Sequence, residues 1–209
     1  MRKLVTAALV GSIIVGAGPV LATNGDNLIG VGAVSRGMGG VGIAAPQDSI
    51  TAIFNNPATL NSVPGEAKSQ TVFGATVFDP TVTGRITLPT PTGPVTTENE
   101  SGGQAYIIPA VGVSTEINDS VSFGVGAYGV SGMGTDYRDA GWDLDGDPSN
   151  GFEGDLYTRL EIMKFAGAVA WQVADGFSLG AALLGSYNNL DLEQGGSHDY
   201  GVGGQVGIL

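Results

Sequence analysis

"SVSFGVGAYGV", residues 120–130, alternates without a break. Val121, Phe123, Val125 and Ala127 fall on one side, and Ser122, Gly124, Gly126 and Tyr128 on the other. Alternation with a period of two places one face of a strand in an apolar medium and leaves the other against something different. Five more runs have the same character: "QTVFGATVF" (70–78), "AYIIPAVGVSTEI" (105–117), "LYTRLEIMKFAGAVAWQV" (156–173), "FSLGAALLGSYNNLDL" (177–192) and "DYGVGGQVGIL" (199–209). Strands in soluble proteins average about 5–6 residues, whereas a tilted membrane-crossing strand needs about 9–11. Most of these runs meet the longer requirement.

The connections point the same way. "ND" (Asn118, Asp119) joins the second and third candidate strands, and "ADG" (174–176) joins the fourth and fifth. Both are tight hairpin signals. The remaining connections, 79–104, 131–155 and 193–198, are longer. Short turns alternating with longer loops mark an outer-membrane barrel, with the tight turns on the periplasmic side. In lipid the backbone must satisfy its own hydrogen bonds, which leaves helices and closed barrels. The expected fold is all-β, an antiparallel transmembrane β-barrel. Six strands are fewer than the eight of the smallest common barrels, and "VGIL" lacks a terminal aromatic residue. The chain is therefore expected to be the front portion of a longer barrel.

Composition supports this reading. Of 209 residues 36 are glycine, and only 13% are charged, about half the usual share. No run after the first 25 residues is long enough for a membrane helix. "MRK", the apolar "LVTAALVGSIIVGAG" and the small positions Val20 and Ala22 read as a signal peptide over residues 1–22. Its removal takes away Arg2 and Lys3 and leaves 6 basic against 20 acidic residues, a net charge of −14. Such a balance repels phosphate backbones, so no nucleic-acid partner is expected. The absence of cysteine excludes disulfides and thiolate chemistry.

Residues 23–62 differ from the rest. They are rich in glycine and alanine, and "PQDSITAIF" reads as a short helix capped by Asp48 or Ser49, with Ile50, Ile53 and Phe54 on one side. Pro57 ends it at Asn56. Gly37, Gly39 and Gly42 have the spacing of a dinucleotide-binding turn. That turn needs a strand before it, a helix directly after it and an acid about 20 residues on. "LIGVGAVSR" is a poor strand, "IAAP" follows, and "FNNPATL" holds no acid. No nucleotide or other cofactor is expected. Asp143, Asp145 and Asp147 have the first spacings of a calcium loop, but Pro148 and Gly154 stand where its glycine and glutamate belong. They leave a loose calcium site as a weak alternative to a hydrated acidic loop. His198, the one histidine, reads as lying in the third long connection without a catalytic partner, so no enzyme is expected. Trp142 and Trp171 read as interface aromatics.

The signal peptide, then "GAVSRGMGGVGIAAPQDSITAIFNNPATL", then strands, resembles the FadL/TodX family of outer-membrane transporters for long-chain fatty acids and other hydrophobic compounds. The triplet Asn56, Pro57, Ala58 carries the most specific match. "YIIPAVGVSTEINDSVSFGVGAYGVSGMGTDYR" and "WQVADGFSLGAALLGSYNNLDLEQ" are similar to that family's early strands and turns. The resemblance implies a 14-stranded barrel in the outer membrane of a Gram-negative bacterium, monomeric when full length and in contact with lipid. Residues 23–62 would form an N-terminal hatch, and residues 63–209 the first strands. A hydrophobic small molecule would pass the hatch by passive diffusion and leave sideways near a kinked third strand. Gly124, Gly126 and Gly129 are the kink candidates. Gly37, Gly39, Gly40 and Gly42, with Asn56, Pro57 and Ala58, are the hatch and gating candidates. A surface or adhesin barrel with a calcium-binding acidic loop is the alternative.

Overall fold

The computed structural model describes residues 27–90, 93–103, 105–139, 156–192 and 195–209. Two short α-helices, α1 (Gly32–Gly37) and α2 (Ser49–Asn55), and a 3-10 helix (Pro57–Ser62) precede eight strands. These are β1 (Ser69–Phe78), β2 (Thr83–Thr90), β3 (Gly93–Glu100), β4 (Tyr106–Asn118), β5 (Val121–Asp136), β6 (Tyr157–Ala174), β7 (Phe177–Leu192) and β8 (Gly195–Ile208). One antiparallel sheet has the order β1-β4-β5-β6-β7-β8, and β2 and β3 pair as a separate hairpin. The six strands expected from alternation are the six of the large sheet. The β2–β3 hairpin occupies what reads in sequence as the loop 79–104. The tight turns are Asp119–Ser120, where Asn118 Oδ1 accepts from Ser120 N at 2.9 Å, and Asp175–Gly176, with Gly176 at φ 71°.

The sheet is apolar on the outside and small on the inside. Phe73, Val111, Phe123, Val169, Trp171, Leu183 and Val202 share the outer face, and Val202 is 86% exposed. An exposed apolar surface that runs across a whole sheet is the outward-facing apolar band of membrane-barrel strands. The inner face carries Ala110, Gly112, Ser114, Ser122, Gly124, Gly126, Ala166, Ala168, Ala170 and Ala182. Ile50, Ile53, Phe54 and Leu60 of the helical segment pack onto it as the core. At about 3.3 Å per residue and a tilt of about 40°, the stretch from Met163 to Val173 rises about 25 Å, the height of a barrel's apolar band. The row Met163–Tyr187–Tyr200 closes this band at the long-loop end, with the Tyr187 and Tyr200 rings 5.4 Å apart. The next outer row is polar: Glu161, Asn189 and His198. His198 thus stands within β8, not in a loop, because the strands continue past the band into water.

The helical segment forms for local reasons. Asp48 is extended and its Oδ1 accepts from Thr51 N at 2.8 Å, the N-cap of α2. Asn56 Oδ1 accepts from Ala58 N at 3.1 Å and caps the 3-10 helix, with Pro57 at its first position. Ser49 Oγ lies 2.7 Å from Ser114 Oγ and joins α2 to the wall. Replacing Asp48 by alanine is expected to cost about 1 kcal/mol. The check is faster proteolysis at the α2 N-terminus in the folded protein, with the strands still protected.

Candidate functional site

Pairing between β4 and β5 runs from Asn118–Val121 to Ala110–Tyr128 and stops there. Beyond it, Tyr106 to Pro109 pair with β1 and not with β5, and Gly129 to Asp136, apart from Val130, pair with β6 and not with β4. The two strands part, leaving a seam in the wall. The β5–β6 register shifts between Gly129 and Ser131, so Val130 is an extra residue. A bulge of this kind bends its strand and frees backbone groups. Gly124 and Gly126, by contrast, are paired regularly on both sides. They serve close approach: a Cβ on Gly124 would lie 2.8 Å from Ile53 Cγ1, and one on Gly126 3.0 Å from Phe54 Cε2.

The freed backbone groups at the bulge are taken by the N-terminal segment. Leu28 N donates to Val130 O at 2.9 Å, and Asn27 bridges to Ser131. Arg36 at the end of α1 donates through Nη2 to Gly129 O at 3.2 Å and through Nη1 to Thr76 Oγ1 on β1 at 2.7 Å. It therefore spans the seam from behind. Its Nε is buried without a hydrogen-bond partner. Burial pushes the guanidinium below its ordinary pKa and the nearby Tyr128 opposes this; it remains a cation. At the loop end, Gly102 N donates to Asp136 O at 2.8 Å and Asp136 N to Ser101 Oγ at 2.9 Å. The seam is closed at both ends and open between.

A cavity of about 690 Å³ occupies the seam. Tyr106 and Ile108 line it from the inner face of β4, and Ile107 and Pro109 from the outer face, so it passes through the plane of the wall. Leu160, Ile162 and Met163 of β6 add apolar surface. At its outer rim Arg138 pairs with Asp136 and Arg159 with Glu161, each at 2.6 Å, and the Arg138 guanidinium lies 4.3 Å over the Tyr157 ring. Exposed pairs of this kind contribute little stability, but they mark where apolar lining gives way to water.

The opposite end of the helical segment is fixed. Asn56 Nδ2 donates to Ile43 O at 2.9 Å and to Ile208 O on β8 at 3.1 Å. Gln205 Nε2 donates to Asn55 O at 2.8 Å. Pro57 and Ala58 lie directly on Gly180 of β7, and Asn56 on Gly207 of β8; neither glycine has room for a Cβ. Among the remaining glycines named from sequence, Gly37 ends α1, and Gly39 and Gly40 turn the chain at φ 76° and 88°. Gly42 is wedged against Thr51, Asn55 and Gln47. A helix precedes Gly37, and no strand–turn–helix surrounds the glycines. Asp143, Asp145, Asp147 and Trp142 lie outside the described residues, as do residues 1–22, read from sequence as a signal peptide; among the described residues no cluster of acids or histidine is placed to hold a metal.

Arg36, Gly180, Gly207 and Ile108 were not marked by motif. Arg36 had one signal, as the sole basic residue between Lys3 and Lys68. The others depend on long-range pairing.

Residues 20–206 match the family described as outer membrane protein transport protein (OMPP1/FadL/TodX). A crystal structure of a Pseudomonas aeruginosa FadL homologue is similar in fold, with a TM-score of 0.54 and 15% identity, over 88% of this chain and 48% of that one. An uncharacterized protein from the phosphoenolpyruvate carboxykinase gene 5' region of Chlorobium limicola is 40% identical over 82 residues, 39% of each chain. The chain thus spans about half the length of the solved relative. With the seam, the small-residue inner wall and a match over nearly all of its length, the chain belongs to the FadL/TodX family of outer-membrane transport proteins, which are transporters and not enzymes.

Proposed function

We propose that the protein carries hydrophobic small molecules, long-chain fatty acids or hydrocarbons, across the outer membrane by passive diffusion, and that they leave through the β4–β5 seam. The seam cavity is the observation that carries this reading. A molecule entering it leaves water for apolar surface, worth about 25 cal/mol per Å² buried, and then has lipid against its outer side. In this reading residues 1–22 direct export and are cut off. Residues 23–62 are the hatch that blocks a continuous water path, and residues 63–209 supply barrel wall to a monomer surrounded by outer-membrane lipid. Gly39 and Gly40 let the hatch turn back on itself beside Gly30. The Asn56–Ala58 end stays seated, and the Asn27–Arg36 end, held by a few bonds at the bulge, is the part that yields.

Cells making the full-length protein are expected to take up radiolabelled hexadecanoate or toluene faster than cells without it, with no dependence on an energised inner membrane. Equal rates in the two strains would remove the transport reading.

A further inference from the structure

The wall does not stop where its apolar band stops. Above the closing row Met163–Tyr187–Tyr200, the outward residues are Glu161, Asn189 and His198, then Arg159 and Asp191. Tyr157 pairs with Asp136 one step higher. At about 3.3 Å per residue and a tilt of about 40°, Tyr157 stands about 15 Å beyond Met163. The headgroup layer of an ordinary bilayer is about 5–8 Å deep on each side. The ordered outer face at the long-loop end is therefore at least about twice as tall as such a layer.

Its chemistry is selective as well. Tyr187, His198 and Tyr200 form one cluster, with ring centroids 5.4, 6.1 and 6.3 Å apart, and Tyr200 is 71% exposed. Planar polar groups beside the rings brace each other. Asn189 Nδ2 donates to Glu161 Oε2 at 3.3 Å, and Arg159 donates to Glu161 Oε1 through Nε at 3.0 Å and Nη2 at 2.6 Å. Asp136 holds Arg138 in the same forked manner. Among the described residues, both arginines of this face are thus taken up by carboxylates. A phosphate headgroup would meet Glu161 and Asp191 rather than an open guanidinium. The face offers instead negative ring surfaces, which attract the C–H side of a ring-shaped polar molecule, next to amide and carboxylate oxygens that accept from hydroxyls. Both features suit a sugar.

We propose that Tyr187, His198 and Tyr200, with Asn189 and Glu161, bind the saccharide headgroup of glycolipid in the outer leaflet around the barrel. The acyl chains of the same molecule lie on the apolar band directly below, at the exposed Phe165 and Leu183, so the contact continues the lipid interface upward. It concerns the membrane and not the cargo, and it stands or falls apart from the transport reading.

Binding of dioleoyl digalactosylglycerol and of dioleoyl phosphatidylglycerol is measured on the full-length protein in a polyoxyethylene detergent, which carries no sugar. The unaltered protein is expected to bind the galactolipid about fivefold more tightly or better. The double variant Tyr187→Leu, Tyr200→Leu keeps the surface apolar but removes the rings, and should bind the two lipids equally. The double variant Tyr187→Phe, Tyr200→Phe keeps the rings and the preference. Equal affinity for the two lipids in the unaltered protein, tighter binding of the phospholipid, or an undiminished preference in the leucine variant overturns the proposal. Loss of both lipids together in the leucine variant overturns it too, since the rings would then serve the acyl chains.

Discussion

A disulfide between Cys residues placed at 108 and 129 is expected to stop uptake, and a reductant to restore it. A Cβ built on Gly129 lies 3.8 Å from Ile108 Cβ, the mean separation in natural disulfides. The Ile108→Cys change also removes the Cγ2 methyl that would otherwise sit 2.7 Å from that new Cβ. No other cysteine competes, since the sequence has none. Once formed, the bond fixes the two backbones about 4.4–6.8 Å apart and prevents the seam from widening here to let an acyl chain pass. Uptake of labelled hexadecanoate should fall to the level of cells without the protein, and the Ile108→Cys single variant and the reduced double variant should behave as the parent. Normal uptake with the cross-link shown complete by mass would mean that cargo leaves by another route.

Gly180→Val is expected to open a path for ions. The added side chain would meet the backbone of Pro57 and Ala58, which has no rotamer to change. Overpacking commonly costs about 1–3 kcal/mol. Here the 3-10 helix must also lift, giving up the Asn56 bond to Ile208 O and the Gln205 bond to Asn55 O. The strands keep their own ladder, so the barrel inserts with its hatch displaced. Full-length protein in a planar bilayer should then show large, steady conductance where the parent shows little. Gly185→Val is the control. Gly185 lies on the outer face of the same strand with nothing within 4 Å of a new Cβ, and this variant should conduct as the parent does. Equal conductance in all three would mean that the 3-10 helix is not what blocks the lumen.

The strands of the wall were legible because each alternates strictly and exceeds the length a soluble strand needs. The β2–β3 hairpin was not, since Pro89 and Pro94 read as strand breakers. They face each other in the register, in a hairpin outside the large sheet, where missing donors cost little. His198 was misplaced because "EQGGSHD" has the composition of a turn, while the strands extend beyond the apolar band. The capped helix α2 was legible from Asp48 and its apolar side. The six-residue α1 was hidden by its flanking glycines. Those glycines read as freedom, yet Gly112, Gly180 and Gly207 act as seats that only a missing Cβ provides. Gly39 sits at φ 76°, where proline, locked near about −65°, would break the turn. The extent of the seam was not legible from the residues, because where a ladder ends depends on register across the whole wall.

The small-residue inner wall also dictates a sequence of events. Ile50, Ile53, Phe54 and Leu60 share their core with Ala110, Tyr128, Val130, Ala166, Ala168, Ala170 and Ala182, on strands that are synthesised after them. Until those strands are assembled in lipid, the helical segment has nothing to fold against, and the wall's outer face has no place in water. The part of the chain that leaves the ribosome first is therefore the part that settles last.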